Sequence, residues 1–364
     1  MIWYFILVAI PISLFFITLP TTGSNKLDNG NENRKRKRYL LLCGIVLLVL
    51  IAFRHYSVGS SDSANYFNNW KKVAGLSLQD FKPLLSTSRM ESGYLITVWI
   101  LSRVFANPQW VFIFSGALFT WSVCRFLYKN CENLLLGITM FICLGLYTFM
   151  VQGLRQAIAM SICLFAIEFC KKRSLWGFFG FLLLVILATQ YHQTAIVFLP
   201  VYFLYGKKID SVWTLVIFAL LLVAVMAIGY LINFANDLFD RNYSNAVEGG
   251  GYIALAIYLI IVVVGFVFCR SEDRHDSHYS FFVFLTVMGA VVYAMRYFGT
   301  LAAERISFYF MFGQIIVLPK ALSSFDSKSS KVLSIIVMGL SIALFFYRIQ
   351  SSDLIPYMFF WQGA

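Results

Sequence analysis

The sequence predicts an all-α polytopic membrane protein with about twelve transmembrane helices and one re-entrant or interfacial helix. Of its 364 residues, 60% are apolar and only 13% are charged, and the mean hydropathy is +0.76. Apolar runs of fifteen to twenty residues recur along the chain. Soluble domains carry about 25% charged residues and much shorter apolar runs, so a soluble globular protein is excluded.

Thirteen segments carry little or no charge. They run over residues 1–20, 39–53, 93–106, 109–128, 133–150, 154–170, 174–190, 193–205, 211–232, 252–269, 279–298, 305–322 and 332–347. A helix needs about 20 residues to cross a hydrocarbon core of about 30 Å. The shortest segments must therefore recruit flanking residues, thin the bilayer locally, or fail to cross. The first has no basic leader and no cleavage signal, so we expect it to be retained as a span.

Basic clusters predict the orientation. Arg34–Arg38 and Lys171–Arg173 form runs, and single basic residues occupy other short loops: Lys207, Lys208, Arg270, Arg274, Lys328 and Lys331. The net charge of +12 is interpreted as a topology signal and as contact with membrane lipids, and not as nucleic-acid binding. All these clusters are cytoplasmic if one segment between residues 54 and 129 does not cross.

The segment 93–106 is the candidate for that exception, because it is short, is interrupted by Arg103, and is closed by Asn107 and Pro108. This assignment places both termini outside. We expect a single transmembrane domain over residues 1–364, with an external loop at 54–92 and a smaller external loop at 233–251.

Four arginines break the positive-inside trend at external ends of spans: Arg54, Arg155, Arg296 and Arg305. Charges at membrane depth usually face a cavity or a partner. Guanidinium groups offer forked donors that suit phosphate oxygens, so the four arginines predict an external site at membrane level for an anion, such as a lipid-linked pyrophosphate. The alternative for any one of them is snorkelling toward headgroups, or pairing of Arg305 with Glu304.

The segment RHYSVGSSDSANY, residues 54–66, holds a candidate general base. Gly59 allows a sharp turn, so Asp62 could fold back toward Arg54 and accept a proton from a hydroxyl. The alternative is that Asp62 caps a helix that starts at Ser63.

Two further polar turns lie at predicted external positions. QGLRQ, residues 152–156, puts Arg155 at a helix start, where the helix N-terminus also attracts anions. QYHQT, residues 190–194, contains His192, which is either a proton-transfer residue or a hydrogen-bonded structural histidine. The chain has no H-E-x-x-H, Walker A, G-x-S-x-G, D-x-D or C-x-x-C motif, so no metal and no cofactor is expected.

These motifs, in this order, resemble the EpsG family of Wzy-like exopolysaccharide and O-antigen polymerases. The matching residues are Arg54, Val58, Gly59, Asp62 and Tyr66, then Arg155, Gln156 and Ala159, then His192 and Pro200. The family's first loop usually reads V-G-T-D, whereas here Ser60 and Ser61 stand between Gly59 and Asp62.

The resemblance implies a GT-C-like fold and a glycosyltransferase that polymerises oligosaccharide repeats carried on undecaprenyl pyrophosphate, at the external face of the bacterial cytoplasmic membrane. The four arginines would hold the pyrophosphate, and Asp62 or His192 would be the base. Weaker candidates for sugar contact are Gln156, Tyr66, Trp70 and Glu91. Expected partners are the lipid-linked oligosaccharides, membrane lipids and a chain-length regulator protein, with no nucleic acid.

Two other functions remain open from sequence. A lipid-linked oligosaccharide flippase should carry mid-membrane cations and internal repeats, which are not evident here. A membrane O-acyltransferase acting on glycans should hold its histidine deep in a span, whereas His192 lies at an outer boundary.

Overall fold

The computed structural model describes residues 1–19, 29–209, 223, 230, 251–297 and 302–362. Within them the regular structure is helical, apart from one isolated antiparallel bridge between Arg54 and Phe359. The first ten helices are α1 (Ile2–Thr18), α2 (Asn29–Ala52), α3 (Ser60–Val73), α4 (Leu78–Thr87), α5 (Ser92–Val104), α6 (Gln109–Asn130), α7 (Leu134–Cys143), α8 (Leu146–Gln152), α9 (Leu154–Cys170) and α10 (Leu175–Thr189).

The later helices follow a 3₁₀ helix at Gln193–Phe198. They are Val201–Leu204, Tyr252–Val267, Ser271–His275, Ser277–Ala294, Ala302–Ser307, Gln314–Leu322 and Ser327–Ile349, with 3₁₀ turns at Met295–Tyr297 and Met311–Gly313. The all-helical fold with several apolar helices is confirmed. The expected loop 54–92 contains two helices of its own, α3 and α4.

Contacts between Cα atoms divide the chain into two compact units. Unit 1 comprises Met1–Phe165, Ile186–Ala195 and Ile336–Ala364, and unit 2 comprises Ala166–Val185 and Ile196–Ile335. The expectation of a single transmembrane domain over residues 1–364 stays a prediction.

Three helices in the described part of the chain are long and apolar enough to cross a membrane: Gln109–Asn130, Ser277–Tyr297 and Ser327–Ile349. Helices α7 and α8 meet the same criterion only as a pair, bent by 48° at the break between them. The other apolar helices have 10–17 residues. The count of twelve spans and the GT-C relation stay predictions, and most of residues 211–250, including the expected loop from 233, lie outside the described residues.

One end of unit 1, which we call the Arg36 end, joins the basic start of α2 to the connection between α6 and α7. Arg36 donates hydrogen bonds to the carbonyl oxygens of Cys131 at 2.7 Å and Glu132 at 3.1 Å. The Lys37 ammonium lies 5.5 Å from the centroid of the Tyr128 ring. The positive-inside pattern assigns the basic residues of both segments to the cytoplasm, so their proximity agrees with the predicted orientation.

The opposite end of unit 1, the Arg54 end, gathers the end of α2, the start of α6 and the end of α8. The Gln109 side-chain amide donates to the carbonyl oxygens of Ala52 at 2.6 Å and Arg54 at 2.9 Å. Arg54 in turn donates to the carbonyl oxygen of Val151 at 2.7 Å.

Helix α5, the segment expected not to cross, has both of its ends at the Arg54 end. Glu91, directly before the helix, pairs with Arg155, which follows α8 closely. The residue Gln109, which contacts the end of α2, follows the last residue of α5 by only five positions. Thirteen helical residues span about 20 Å, well short of a bilayer core. This geometry fits a re-entrant or interfacial helix.

The C-terminal segment folds back over the Arg54 end. The His55 amide donates to the carbonyl oxygen of Met358 at 2.8 Å, and the Phe360 amide donates to that of Phe53 at 2.9 Å. The tail thereby becomes part of the surface around the turn that follows α2.

The long helix Ser277–Ala294 is the central element of unit 2. It packs against Tyr252–Val267 and Gln314–Leu322, and most of its residues are buried. A Cβ atom added to Gly265 would lie 2.6 Å from Cγ1 of Val317. The absence of a side chain at this position therefore allows two helices to approach closely, as small residues do in membrane bundles.

Candidate functional site

Arg54 is fully buried, with 1% of its surface exposed. Four acceptors hold its guanidinium: the carbonyl oxygens of Ile51 (2.7 Å), Val58 (3.3 Å) and Val151 (2.7 Å), and the hydroxyl of Ser63 (3.4 Å). Burial lowers the pKa of this guanidinium to about 10, so it stays protonated at neutral pH. The expected pairing of Arg54 with Asp62 is not among its contacts, and the bonds that do form tie the end of α2 to α3 and α8.

The turn after Arg54 depends on Gly59, whose φ of +99° lies in the left-handed region that glycine adopts without strain. Its amide donates to the carbonyl oxygen of Asp353 at 3.0 Å. Helix α3 begins at Ser60, three residues earlier than expected, because the glycine completes the turn at once. The idea that Asp62 caps a helix starting at Ser63 is therefore wrong. Asp62 lies in the first turn, where a carboxylate is favoured by the helix dipole.

Arg155 and Glu91 form an ion pair between the start of α9 and the start of α5. The Glu91 side chain is only 6% exposed, whereas that of Arg155 is 20% exposed. The second carboxylate oxygen of Glu91 accepts a hydrogen bond from the backbone amide of Gln193 at 3.4 Å. Nε of Arg155 is buried and has no acceptor among the described residues. The guanidinium is thus held in place by Glu91 and retains donor capacity at Nε.

Tyr66 brings α3 into this group. The Tyr66 phenol lies beside Arg155. Burial has the largest influence on the phenol and raises the pKa of Tyr66, so the hydroxyl remains a donor at neutral pH. Asp62 lies four residues earlier on the same face of α3, near enough to influence Tyr66 electrostatically. We call Asp62, Tyr66, Glu91 and Arg155 the Arg155 cluster.

His192 borders the Arg155 cluster through its neighbour in sequence. Its Nδ1 lies 2.8 Å from the hydroxyl of Thr194, and the next residue, Gln193, donates its amide to Glu91. Each candidate base thus lies near a neighbour of Arg155. Asp62 is one helical turn from Tyr66, and His192 precedes Gln193, whose backbone amide donates to Glu91.

Gly93 allows α5 to lie directly against the turn that carries His192. A Cβ atom at Gly93 would lie 2.7 Å from both Cβ and the carbonyl oxygen of Gln190. The Tyr94 amide donates to that same carbonyl at 3.2 Å, and the hydroxyls of Thr97 and Tyr191 are 3.0 Å apart.

Arg296 and Arg305, the other two predicted phosphate ligands, lie in unit 2. Arg296 is buried, donates to the Tyr293 hydroxyl at 3.1 Å and pairs with Glu304, the residue considered above as a partner for Arg305. Nε of Arg296 has no acceptor in the described part of the chain. Arg305 is exposed on the helix Ala302–Ser307. We call Tyr293, Arg296 and Glu304 the Arg296 cluster.

A family model described as the EpsG family matches residues 37–359, a range that contains every predicted site residue. The chain belongs to the EpsG family. EpsG is a Wzy-like polymerase family, so the resemblance seen in the motifs is confirmed. Together with the apolar helices, family membership supports a membrane protein. Comparison with curated proteins and with solved structures gives no match.

Three of the weaker sugar-contact candidates in this EpsG-family protein are buried: Tyr66, Trp70 and Gln156. The fourth, Glu91, is engaged by Arg155 and Gln193. Their sugar contacts stay predictions, and their burial favours a role in shaping the site, because a buried side chain presents little surface to a ligand.

Sequence reasoning missed Arg348, near the end of Ser327–Ile349. Its exposed guanidinium lines a cavity of about 140 Å³ together with Thr148, Gln152 and Ser352, and has no acceptor among the described residues. It lies over the break between α7 and α8, where a Cβ atom on Gly145 would be 3.5 Å from its Nη1. Arg348 ends the last apolar segment, so the criterion that selected the other arginines could have found it.

No group of three or more His, Cys, Asp or Glu side chains that could hold a metal ion occurs among the described residues. All seven cysteines are free thiols.

Proposed function

We propose that this EpsG-family protein is a glycosyltransferase that polymerises oligosaccharide repeats linked to undecaprenyl pyrophosphate, without a metal ion. The observation that carries the proposal is the Arg155 cluster, which combines a guanidinium, two carboxylates and a phenol at the Arg54 end of unit 1. The basic Arg36 end lies opposite, and the positive-inside rule assigns it to the cytoplasm. The cluster then faces the exterior of a bacterial cytoplasmic membrane.

The proposed reaction is one glycosyl transfer. The donor is the growing chain on its lipid pyrophosphate, and the acceptor is a hydroxyl on the sugar end of another lipid-linked repeat. The bond between the anomeric carbon and the pyrophosphate oxygen breaks, and its electron pair leaves with the pyrophosphate. The acceptor oxygen bonds to that carbon, and its proton passes to a base. The products are a chain longer by one repeat and free undecaprenyl pyrophosphate.

Arg155 is the proposed contact to the leaving pyrophosphate. Glu91 fixes its guanidinium, and the unengaged Nε provides a donor for a phosphate oxygen once the site opens. Charge develops on the leaving group in the transition state, so a fixed cation stabilises that state more than the bound donor.

The other arginines have different proposed roles. Arg54 is engaged by four protein acceptors, so its proposed part is to hold the turn that carries Asp62. Arg348, whose guanidinium is free within the described residues, is the proposed second contact to phosphate in unit 1. Arg305 in unit 2 remains a proposed phosphate ligand, whereas Arg296 is already engaged by Glu304.

Asp62 is the favoured base, and His192 is the second candidate. Asp62 is half-buried in the first turn of α3, one helical turn before the phenol that contacts Arg155. A carboxylate so placed can take the acceptor proton while Arg155 binds the leaving group. His192 borders the same cluster and could do the same work.

The test is the glycolipid profile of a strain that lacks the chain. A polymerase defect leaves single lipid-linked repeats on the outer leaflet, whereas a flippase defect leaves them on the inner leaflet and an O-acyltransferase defect leaves polymer that lacks only its acyl groups. Either of the last two results would overturn the proposal. Co-purification from the same strain identifies any chain-length regulator bound to the protein.

The proposed orientation has its own test. Single-cysteine labelling from outside the cell should modify positions 62, 192 and 237 and leave 36, 172 and 208 unmodified. Labelling of positions 62 and 172 from the same side would contradict the orientation.

A further inference from the structure

A cavity of about 500 Å³ lies at the Arg54 end of unit 1 and involves none of the residues assigned above. Its walls come from the turn after Arg54, from α3, from the connection between α5 and α6, and from the C-terminal tail. None of its lining residues is Lys, Arg, Asp or Glu. The volume lies within the range of small-molecule sites.

His55 contributes a hydrogen-bond donor to this cavity. The Ser57 backbone amide donates to its Nδ1 at 3.3 Å, and the Ser57 hydroxyl lies 2.8 Å from the same nitrogen. The amide contact favours the tautomer in which Nδ1 accepts and Nε2 carries the proton. Nε2 makes no hydrogen bond within the described residues. His55 thus supplies Nε2 as a donor among the residues that line the cavity.

Two side-chain amides have their orientation fixed in the same way. Oδ1 of Asn107 accepts a hydrogen bond from the backbone amide of Gln109 at 2.8 Å, which leaves Nδ2 of Asn107 as an unused donor. Nε2 of Gln109 donates to the carbonyl oxygens of Ala52 and Arg54, which leaves its Oε1 as an unused acceptor. The cavity thus offers two donors and one acceptor whose identities are set by backbone contacts.

Aromatic rings supply the apolar part of the lining. Tyr56 and Phe67 are stacked with centroids 4.5 Å apart, and Phe360 reaches the cavity from the tail. A sugar ring combines an apolar C–H face with hydroxyl groups at its edge. It therefore needs an aromatic surface together with mixed donors and acceptors, as are found here. A phosphate or another anion would find no cation to compensate its charge.

We infer that this cavity is a subsite for a neutral sugar ring of the oligosaccharide repeat. The assignment rests on the proposed function for the identity of the sugar. Phe67 follows Tyr66 directly on α3, so the subsite and the Arg155 cluster occupy adjoining faces of one helix. One repeat can thus be held by its sugar on one side of α3 and by its pyrophosphate on the other.

The test uses two variants of the full-length protein in detergent. Asn107→Asp keeps an oxygen to accept the Gln109 amide but removes the free donor, and Phe360→Leu keeps apolar volume but removes the ring. Matched controls are Asn68→Asp on the exposed side of α3 and Phe16→Leu on the exposed side of α1. Thermal unfolding identifies any variant that is not folded.

The probes are phosphate-free oligosaccharide fragments released from the strain's own polymer, titrated by saturation-transfer NMR. We expect each cavity variant to raise the dissociation constant about tenfold, as for the loss of one polar or ring contact. Both controls should bind the fragments like the wild type. With lipid-linked repeats as substrate, the cavity variants should raise KM and leave kcat nearly unchanged.

The two proposals fail in different ways. If the wild type elongates lipid-linked repeats but folded cavity variants bind the fragments normally, the sugar subsite is wrong and the polymerase proposal stands. If the wild type binds no fragment, the subsite is also wrong. If fragment binding depends on the cavity but no elongation occurs, the subsite stands and the polymerase proposal falls.

Discussion

The Arg155 cluster of unit 1 and the Arg296 cluster of unit 2 each join an arginine to a glutamate beside a tyrosine hydroxyl. In both, the arginine Nε is buried without an acceptor among the described residues. The two clusters differ in which side chain of the ion pair is the more exposed. Glu91 is 6% exposed and Arg155 is 20% exposed, whereas Arg296 is 9% exposed and Glu304 is 31% exposed. The first cluster leaves its cation the more accessible partner, and the second leaves its carboxylate more accessible.

The difference teaches which pair suits a phosphate ligand. A phosphate oxygen must reach the guanidinium, and the backbone closes over that of Arg296. Gly251, with φ of +77°, approaches so closely that a Cβ atom there would lie 2.5 Å from the Tyr293 hydroxyl and 2.6 Å from Nη1 of Arg296. We therefore interpret the Arg296 cluster as a brace within unit 2 and the Arg155 cluster as the reactive one.

The largest expected effect is on the rate of elongation, and it follows from removing the candidate base of the Arg155 cluster. Asp62→Asn removes the favoured base and should slow elongation by about two to four orders of magnitude while substrate binding persists. Asp80→Asn, on the exposed side of α4, is the matched control and should elongate at the wild-type rate. If Asp62→Asn polymerises normally, the role passes to His192, and His192→Ala should then show the loss.

The next effect tests the packing that positions Arg155. In Gly93→Ala the new methyl group meets Gln190 at 2.7 Å, so α5 and the His192 turn must separate and carry Glu91 with them. Elongation should fall by about ten- to a hundredfold, since small misplacements of catalytic groups are costly. Gly251→Ala in unit 2 should instead lower the unfolding temperature while folded protein keeps its activity. Equal activity losses in the two variants would break the distinction.

A smaller effect, on the free energy of unfolding, follows from the reversed burial. The arginine variants and the glutamate variants of the two ion pairs should rank in opposite orders. Arg155→Gln leaves the buried Glu91 carboxylate unpaired and should lower the free energy of unfolding by about 3 kcal/mol, whereas Arg296→Gln leaves the better hydrated Glu304 and should lower it by about 1 kcal/mol. For the glutamates the order reverses, with Glu304→Gln costing more than Glu91→Gln. Chemical unfolding in detergent measures the free energy of unfolding of all four variants. If the Arg155–Glu91 variant were the less stable one in both comparisons, the reversed burial would not control the stability of the two ion pairs.

The smallest effect calibrates the glycine comparison. No atom lies within 4 Å of a Cβ atom added at Gly339, inside the helix Ser327–Ile349. Gly339→Ala should raise stability by up to about 1 kcal/mol through helix propensity and leave elongation unchanged. A loss of activity in Gly339→Ala would show that any added methyl group disturbs the protein. The loss in Gly93→Ala could then not be attributed to the contact between Gly93 and Gln190.

Much of this arrangement could be predicted from local signals. Shortness, Arg103 and the charge balance of the loops singled out α5, whose ends both lie at the Arg54 end. Arg155 and Arg296 were singled out because they lie at the external ends of predicted spans, where a charge near the membrane usually faces a cavity or a partner.

The remaining contacts join distant parts of the chain. Glu91 and Arg155 are 64 residues apart, and no periodicity relates them. The start of α3 at Ser60 follows from the left-handed conformation of Gly59, which sequence allows but does not require. The burial of Tyr66 and Trp70 depends on how α3 packs. Phe360 reaches the cavity only because the tail pairs with the residues around Arg54.

The most direct test of the central claim is elongation of purified lipid-linked repeats by the wild type, Arg155→Lys and Arg296→Lys, scored as the product ladder per folded protein. Lysine keeps the charge and removes the forked donors. The account predicts a ladder from the wild type and from Arg296→Lys, and chiefly unextended repeats from Arg155→Lys. A full ladder from Arg155→Lys, or no ladder from the wild type, would contradict it.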